Sequence, residues 1–139
     1  MNSAADKFCG QRVLIVEDEY FVAQDIADYF CGLGAKIQGP VGSVAEALRL
    51  LDTVEVQAAI LDINLRGERV YPVADLLRRK QVPFVFASGY GGELELDAYA
   101  DVPRCIKPVE LAVLAKALLE QIECQEARRS IAGSVWEVS

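Results

Sequence analysis

Short apolar runs alternate along the chain with stretches in which apolar residues recur every three or four positions. Arg12–Val16 (RVLIV) is a β-branched run of strand length. After it, Val22, Ile26, Tyr29, Phe30 and Leu33 fall on one helical face, and Gly32 and Gly34 supply the permissive backbone that a helix end favours. Residues 36–38 predict a short second strand, closed by Gly39-Pro40. Ser43-Val44-Ala45-Glu46 reads as a capping box, followed by a buried stripe of Val44, Ala47, Leu48 and Leu51. Residues 57–63 (QAAILDI) are apolar until Asp62, which suits a strand covered on both faces.

Val70, Val73, Ala74 and Leu77 predict a third helix, with Pro72 tolerable in its first turn. Residues 82–87 (VPFVFA) predict a fourth strand. Residues 89–100 read as a loop with at most a poor, short helix, because Gly91-Gly92 disfavours regular structure. Residues 102–106 predict a fifth strand, placed at a sheet edge by Pro103. Residues 109–127 predict the last helix, burying Leu111, Leu114, Ala115, Leu118 and Ile122. Five βα units in succession imply an α/β fold with a right-handed, doubly wound, five-stranded parallel sheet. The domain is expected over residues 1–127, with 128–139 as a C-terminal tail, docked or disordered.

Composition narrows the class. The 139 residues are 53% hydrophobic and carry 14 basic against 21 acidic side chains, a net charge of −7. An acidic chain without a basic stripe is a poor match for nucleic acid. Arg78-Arg79-Lys80 is a basic run, but its place at a predicted helix end makes it a complement to the helix dipole. The apolar runs are too short to span a bilayer, and residues 1–12 hold no apolar core of a leader, so a cytoplasmic protein is expected. Cys9, Cys31, Cys105 and Cys124 form no CxxC pair, and there is no histidine, so zinc spacing is absent.

In such sheets the carboxyl ends of the strands share one edge, where ligands bind. The first strand delivers Glu17-Asp18-Glu19 there, the third Asp62, the fourth Ser88-Gly89 and the fifth Lys107-Pro108. Taken singly, each has an ordinary reading: acids that favour a helix dipole, turn residues, a solvated lysine. Their convergence at four strand ends is the informative feature. Two carboxylates ~4 Å apart repel by about 4 kcal/mol at an effective dielectric near 20, so such a group calls for a cation. Oxygen ligands alone favour Mg²⁺. A carboxylate can attack phosphorus, and a metal and a lysine would stabilise the charge on the transferring group. The roles expected are Asp62 as nucleophile, Asp18 as direct metal ligand, Glu17 as ligand through water, Lys107 as phosphoryl clamp and Ser88 as donor to a phosphoryl oxygen.

VLIVEDE (13–19), AAILDINL (58–65), FVFASGY (84–90) and CIKPVE (105–110) resemble the signature blocks of response-regulator receiver domains, in order and over nearly the whole chain. The resemblance implies a flavodoxin-like fold and a phosphoryl group donated to Asp62 by a histidine kinase or phosphotransfer protein. It also implies Mg²⁺ held by Asp18, Asp62 and the backbone carbonyl of Asn64, a Ser88 that moves towards the phosphoryl group, and a cis Lys107–Pro108 bond. Arg104 stands where most receivers have an aromatic switch residue. PFVFASGYG (83–91) resembles the FAT GUY subgroup, mostly alphaproteobacterial and often stand-alone, in which a tyrosine, here Tyr90, replaces that aromatic and the fourth helix is short or mobile. The switch is therefore expected at Ser88, Tyr90 and the 91–100 loop, with Arg104 in the aromatic's usual place, in a monomer or weak dimer that acts on a downstream protein partner.

The alternative from another class is a small Mg²⁺-dependent phosphohydrolase with an aspartyl nucleophile. Such enzymes normally carry a second acid two residues after the nucleophile, and Asn64 occupies that place. A flavodoxin-like electron carrier is disfavoured, because Glu17-Asp18-Glu19 would repel a flavin phosphate.

Overall fold

The computed structural model of the chain describes residues 4–89 and 97–138. In chain order its elements are a short helix α1 (Ala4–Phe8), β1 (Arg12–Val16), α2 (Tyr20–Gly32), β2 (Lys36–Val41), α3 (Val44–Thr53), β3 (Ala58–Asp62), β4 (Asn64–Leu65), β5 (Glu68–Arg69), α4 (Tyr71–Arg79), β6 (Phe84–Ser88), a 3₁₀ turn (Asp97–Tyr99), β7 (Arg104–Ile106) and α5 (Leu111–Val138). Five strands form one parallel sheet in the order β2-β1-β3-β6-β7. Strand order reverses at β1, the switch point of a flavodoxin-like doubly wound sheet. β7 is an edge strand, where Pro103 just before it costs no ladder bond.

Alternation along each strand sorts the core into two layers. Leu14, Val16, Ala59, Leu61, Phe84 and Phe86 pack with Val44, Ala47 and Leu51 of α3 and Val73, Ala74 and Leu77 of α4. Val13, Ile15, Ala58, Ile60, Val85 and Ala87 pack on the other face with Ile26 and Phe30 of α2 and Leu114, Ala115 and Leu118 of α5. Burying each larger apolar side chain contributes roughly 1.5–3 kcal/mol. The predicted helix stripes thus face the core, with Val22, Tyr29, Leu33, Leu48, Leu111 and Ile122 half-buried at its margins.

Several details differ from the sequence reading. β2 continues through Gly39-Pro40 to Val41 instead of stopping there. It does so with a cis Gly39–Pro40 bond, Gly39 at φ +93, and a register shift against β1 between Leu14 and Val16. A side chain at Gly39 would put its Cβ 2.8 Å from Val41 N and 3.0 Å from Ile15 O, so only glycine fits this approach. The capping box is half formed: Ser43 Oγ accepts from Glu46 N at 3.2 Å, but the Glu46 carboxylate accepts the Ser43 hydroxyl at 3.0 Å, not the backbone N–H. α1 and the β4–β5 hairpin lay outside the predicted pattern. Phe8 of α1 is fully buried, edge-on to Phe30 at 5.1 Å. The last helix runs on past residue 127 to Val138. Among the described residues, no helix is long and apolar enough to cross a membrane, and the four cysteines are free.

Candidate functional site

The acidic triplet follows β1 directly and turns the chain into α2. Glu19 is the residue before the helix, and its N–H donates to Glu17 Oε2 at 3.0 Å, which fixes the Glu17 side chain inward. Asp62 ends β3, where its Oδ1 accepts from Asn64 N at 3.3 Å. Ser88 ends β6, and its carbonyl accepts from Lys107 N at 2.8 Å, so the backbone that carries the hydroxyl also holds the lysine. The Lys107–Pro108 bond is cis, as the resemblance implies. Glu17, Asp62 and Ser88 are the buried polar residues among the described ones, each at most 4% exposed.

Lys107 joins the parts. Its Nζ lies 2.8 Å from Glu17 Oε1, 2.9 Å from Glu19 Oε1 and 3.2 Å from Asp62 Oδ2. Burial works against its charge, yet the hydrogen bonds it donates to Glu17 and Glu19 and the field of Asp62 raise its proton affinity above that of a free lysine. In Asp62 the same direction of shift disfavours the charged form. Desolvation, then the charge of Glu17, push it up to about 7 despite the opposing Lys107. The site therefore holds more negative charge than its lysine balances.

One carboxylate oxygen from each of Glu17, Asp18, Glu19 and Asp62 lies within 4.8 Å of the others. This all-oxygen set fits a hard divalent cation, and the raised proton affinity of Asp62 is what a carboxylate group short of positive charge displays. Asp18 is paired with Arg66, whose Nε is 3.6 Å from Oδ2. Ser88 Oγ is buried with no hydrogen-bond partner among the described residues. An open groove of about 640 Å³, lined in part by Glu17, Asp18, Ser43, Arg66 and Glu68, borders the acids.

Of the sequence-predicted residues, the structure brings together Glu17, Asp18, Asp62 and Lys107, with Ser88 joined to Lys107 through the backbone. Asn64 follows Asp62 in β4, and its side chain accepts from Gly67 N at 2.8 Å. Arg104 lies in β7 opposite Phe86, two residues back from the pairing of Ser88 with Ile106, and its Nη1 is buried without a partner among the described residues. Tyr90 lies outside the described residues. Sequence reasoning gave no role to Glu19, Arg66 or Tyr99. Tyr99 is buried and stacks on Tyr71 at 5.3 Å, edge-on to Phe86 at 5.8 Å. Its hydroxyl donates to Asp75 Oδ1 and Arg78 lies 5.2 Å from its ring centre. No periodicity marks a lone tyrosine after a polar, glycine-containing stretch of sequence.

No family model matches the sequence. The solution structure of SdrG from Sphingomonas melonis Fr1 is similar at 37% identity, covering 85% of this chain and 99% of SdrG, with a TM-score of 0.70. The response regulator PhyR from Brucella abortus is 25% identical over 94% of this chain and 54% of PhyR, with a TM-score of 0.74. The chain belongs to the response-regulator receiver family. It is thus a receiver of two-component signalling. The transcriptional regulatory protein PdtaR of Mycobacterium tuberculosis is 26% identical over 119 residues, and the receiver described here spans 58% of that relative's length.

Proposed function

We propose that this receiver takes a phosphoryl group on Asp62 from a histidine kinase or phosphotransfer protein, in a Mg²⁺-dependent step, and controls a protein partner through the resulting change of shape. The observation that carries the reading is Asp62 itself, a buried carboxylate at a strand end, 3.2 Å from a lysine and within one cluster of four acids. Asp18 and Asp62 would hold the cation, with the Asn64 carbonyl and, through water, Glu17. Bound there, Mg²⁺ would supply the positive charge that keeps Asp62 ionised and draws phosphoryl oxygens to it.

The chain's own residues do the rest. An Asp62 oxygen attacks phosphorus as the bond to the donor's nitrogen or oxygen breaks, and the leaving group keeps the electron pair. Lys107 stays charged and moves from its acids to a phosphoryl oxygen. Ser88, its hydroxyl unspent, donates to another, which draws the end of β6 inward and changes the surface over Phe86 and Tyr99. Arg104 and Tyr90 are assigned to the same switch. The role is that of a signalling phosphoacceptor and not of a turnover enzyme, since no carboxylic acid stands at Asn64 to serve as general acid. An exposed aromatic pair beside the acids, Tyr20 (71%) and Phe21 (80%), suits docking of a protein donor better than a free small molecule. The acidic surface argues against nucleic acid as a direct partner, and a cytoplasmic location follows from a kinase as donor.

The test is intact mass after incubation with a small acyl phosphate, with and without Mg²⁺. One phosphoryl group should appear only with Mg²⁺ and not on Asp62→Ala. Uptake that survives this substitution would move the acceptor elsewhere, and steady turnover of a small phosphoester would favour a phosphohydrolase.

A further inference from the structure

Arg66 has no part in the function proposed above, yet its backbone is unusual. It turns the β4–β5 hairpin with Gly67, at φ 53 and φ 88. Two successive left-handed residues make the tight turn that suits asparagine and glycine, and an arginine in the first place is disfavoured by its Cβ. The hairpin is firmly held: Leu65 is buried, Asn64 Oδ1 accepts from Gly67 N at 2.8 Å, and Glu68 Oε1 accepts from Val44 N at 3.3 Å. A residue in a disfavoured conformation invites a functional explanation. The side chain offers one. Its Nε lies 3.6 Å from Asp18 Oδ2, with Arg66 82% exposed and Asp18 only 11%. Lys107 contacts Glu17, Glu19 and Asp62; Asp18, the remaining acid of the cluster, has Arg66 instead.

We propose that Arg66 is a resident counter-ion for Asp18 that competes with the divalent cation, and so sets the cation concentration at which the site becomes competent. This rests on the reading that the acids hold Mg²⁺. A cation approaching Asp18 meets a like charge at the tip of a rigid hairpin and must displace it. Because the guanidinium is exposed and screened by water, the effect is a few-fold change in affinity and not a block.

The experiment titrates the full chain with MgCl₂ and follows backbone amide resonances, in wild type, Arg66→Asn and Arg66→Lys. Asparagine tolerates the left-handed turn and removes the charge; lysine retains it. The Asn variant should bind Mg²⁺ roughly 2–5-fold tighter at low ionic strength, with the gain shrinking in about 0.5 M KCl, and the Lys variant should stay near wild type. Equal or weaker binding by the Asn variant, beside clear binding by wild type, overturns the role of Arg66 alone. A gain of the same size in the Lys variant also overturns it, because charge would not be the cause. No binding by wild type at millimolar Mg²⁺ overturns the cation reading together with this one.

Discussion

Lys107 Nζ lies 3.2 Å from Asp62 Oδ2 while it also touches Glu17 and Glu19, so one half-buried cation is shared by three acids. Removing it leaves those acids facing one another. Lys107→Ala should therefore raise the proton affinity of Asp62 further and slow acyl-phosphate labelling at least ~10-fold at saturating Mg²⁺. Its fold should lose about 1–3 kcal/mol at neutral pH, because an uncompensated buried carboxylate is costly. Denaturant melts with labelling rates check both. Labelling at the wild-type rate would mean that the lysine is structural only.

Asp62 makes stability depend on pH. Its carboxyl is pushed from 3.8 up to about 7 by burial and Glu17. The folded state thus binds a proton that the unfolded state has already released, and stability falls as pH rises from about 4 to 7. Below that window the penalty is absent; above it, the penalty is complete. Without divalent cation, Asp62→Asn should be more stable than wild type by about 1–3 kcal/mol at pH 8 and closely matched to it at pH 4. Thermal melts in a chelating buffer give the comparison. A stabilisation that is the same at both pH values would remove Asp62 titration as the cause.

How far the sequence alone reaches is clear from particular residues. The polar edge was legible because four polar residues interrupt apolar strands at the same end, and only a parallel sheet brings Glu17, Asp62, Ser88 and Lys107 to one side. Lys107 sharing its charge with Glu19 was not, since a contact between residues so far apart in sequence has no local signal. The end of β2 was misjudged because Gly39-Pro40 normally breaks a strand, whereas a cis bond and a positive φ carry it on to Val41. Tyr99 was hidden for another reason. Its burial depends on a stacking partner on α4, Tyr71, that no periodic pattern links to it.

Tyr99 ties the β6–β7 connection to α4. Burial, then the hydrogen bond to Asp75, hold its phenol protonated well above the usual range, so it is a donor at every pH of interest. Tyr99→Phe keeps the stacking on Tyr71 and loses only this donor. It should cost about 1–2 kcal/mol, and Asp75→Asn about as much, with the double variant losing less than the sum. Additive losses would show that the two groups do not act through each other.

Ser88 carries a buried hydroxyl with no hydrogen-bond partner among the described residues. A hydroxyl kept from water without a partner costs roughly 1–3 kcal/mol, and that cost is recovered only when an acceptor arrives. Ser88→Ala should consequently leave the unphosphorylated protein as stable as wild type, or slightly more so. After acyl-phosphate labelling the order should reverse: wild type gains stability from the new hydrogen bond and the variant does not. Melting temperature before and after labelling separates the cases, with labelling stoichiometry as the control. If Ser88→Ala destabilises the unlabelled protein by more than about 1 kcal/mol, the hydroxyl already serves the resting fold and cannot be held in reserve for the phosphoryl group.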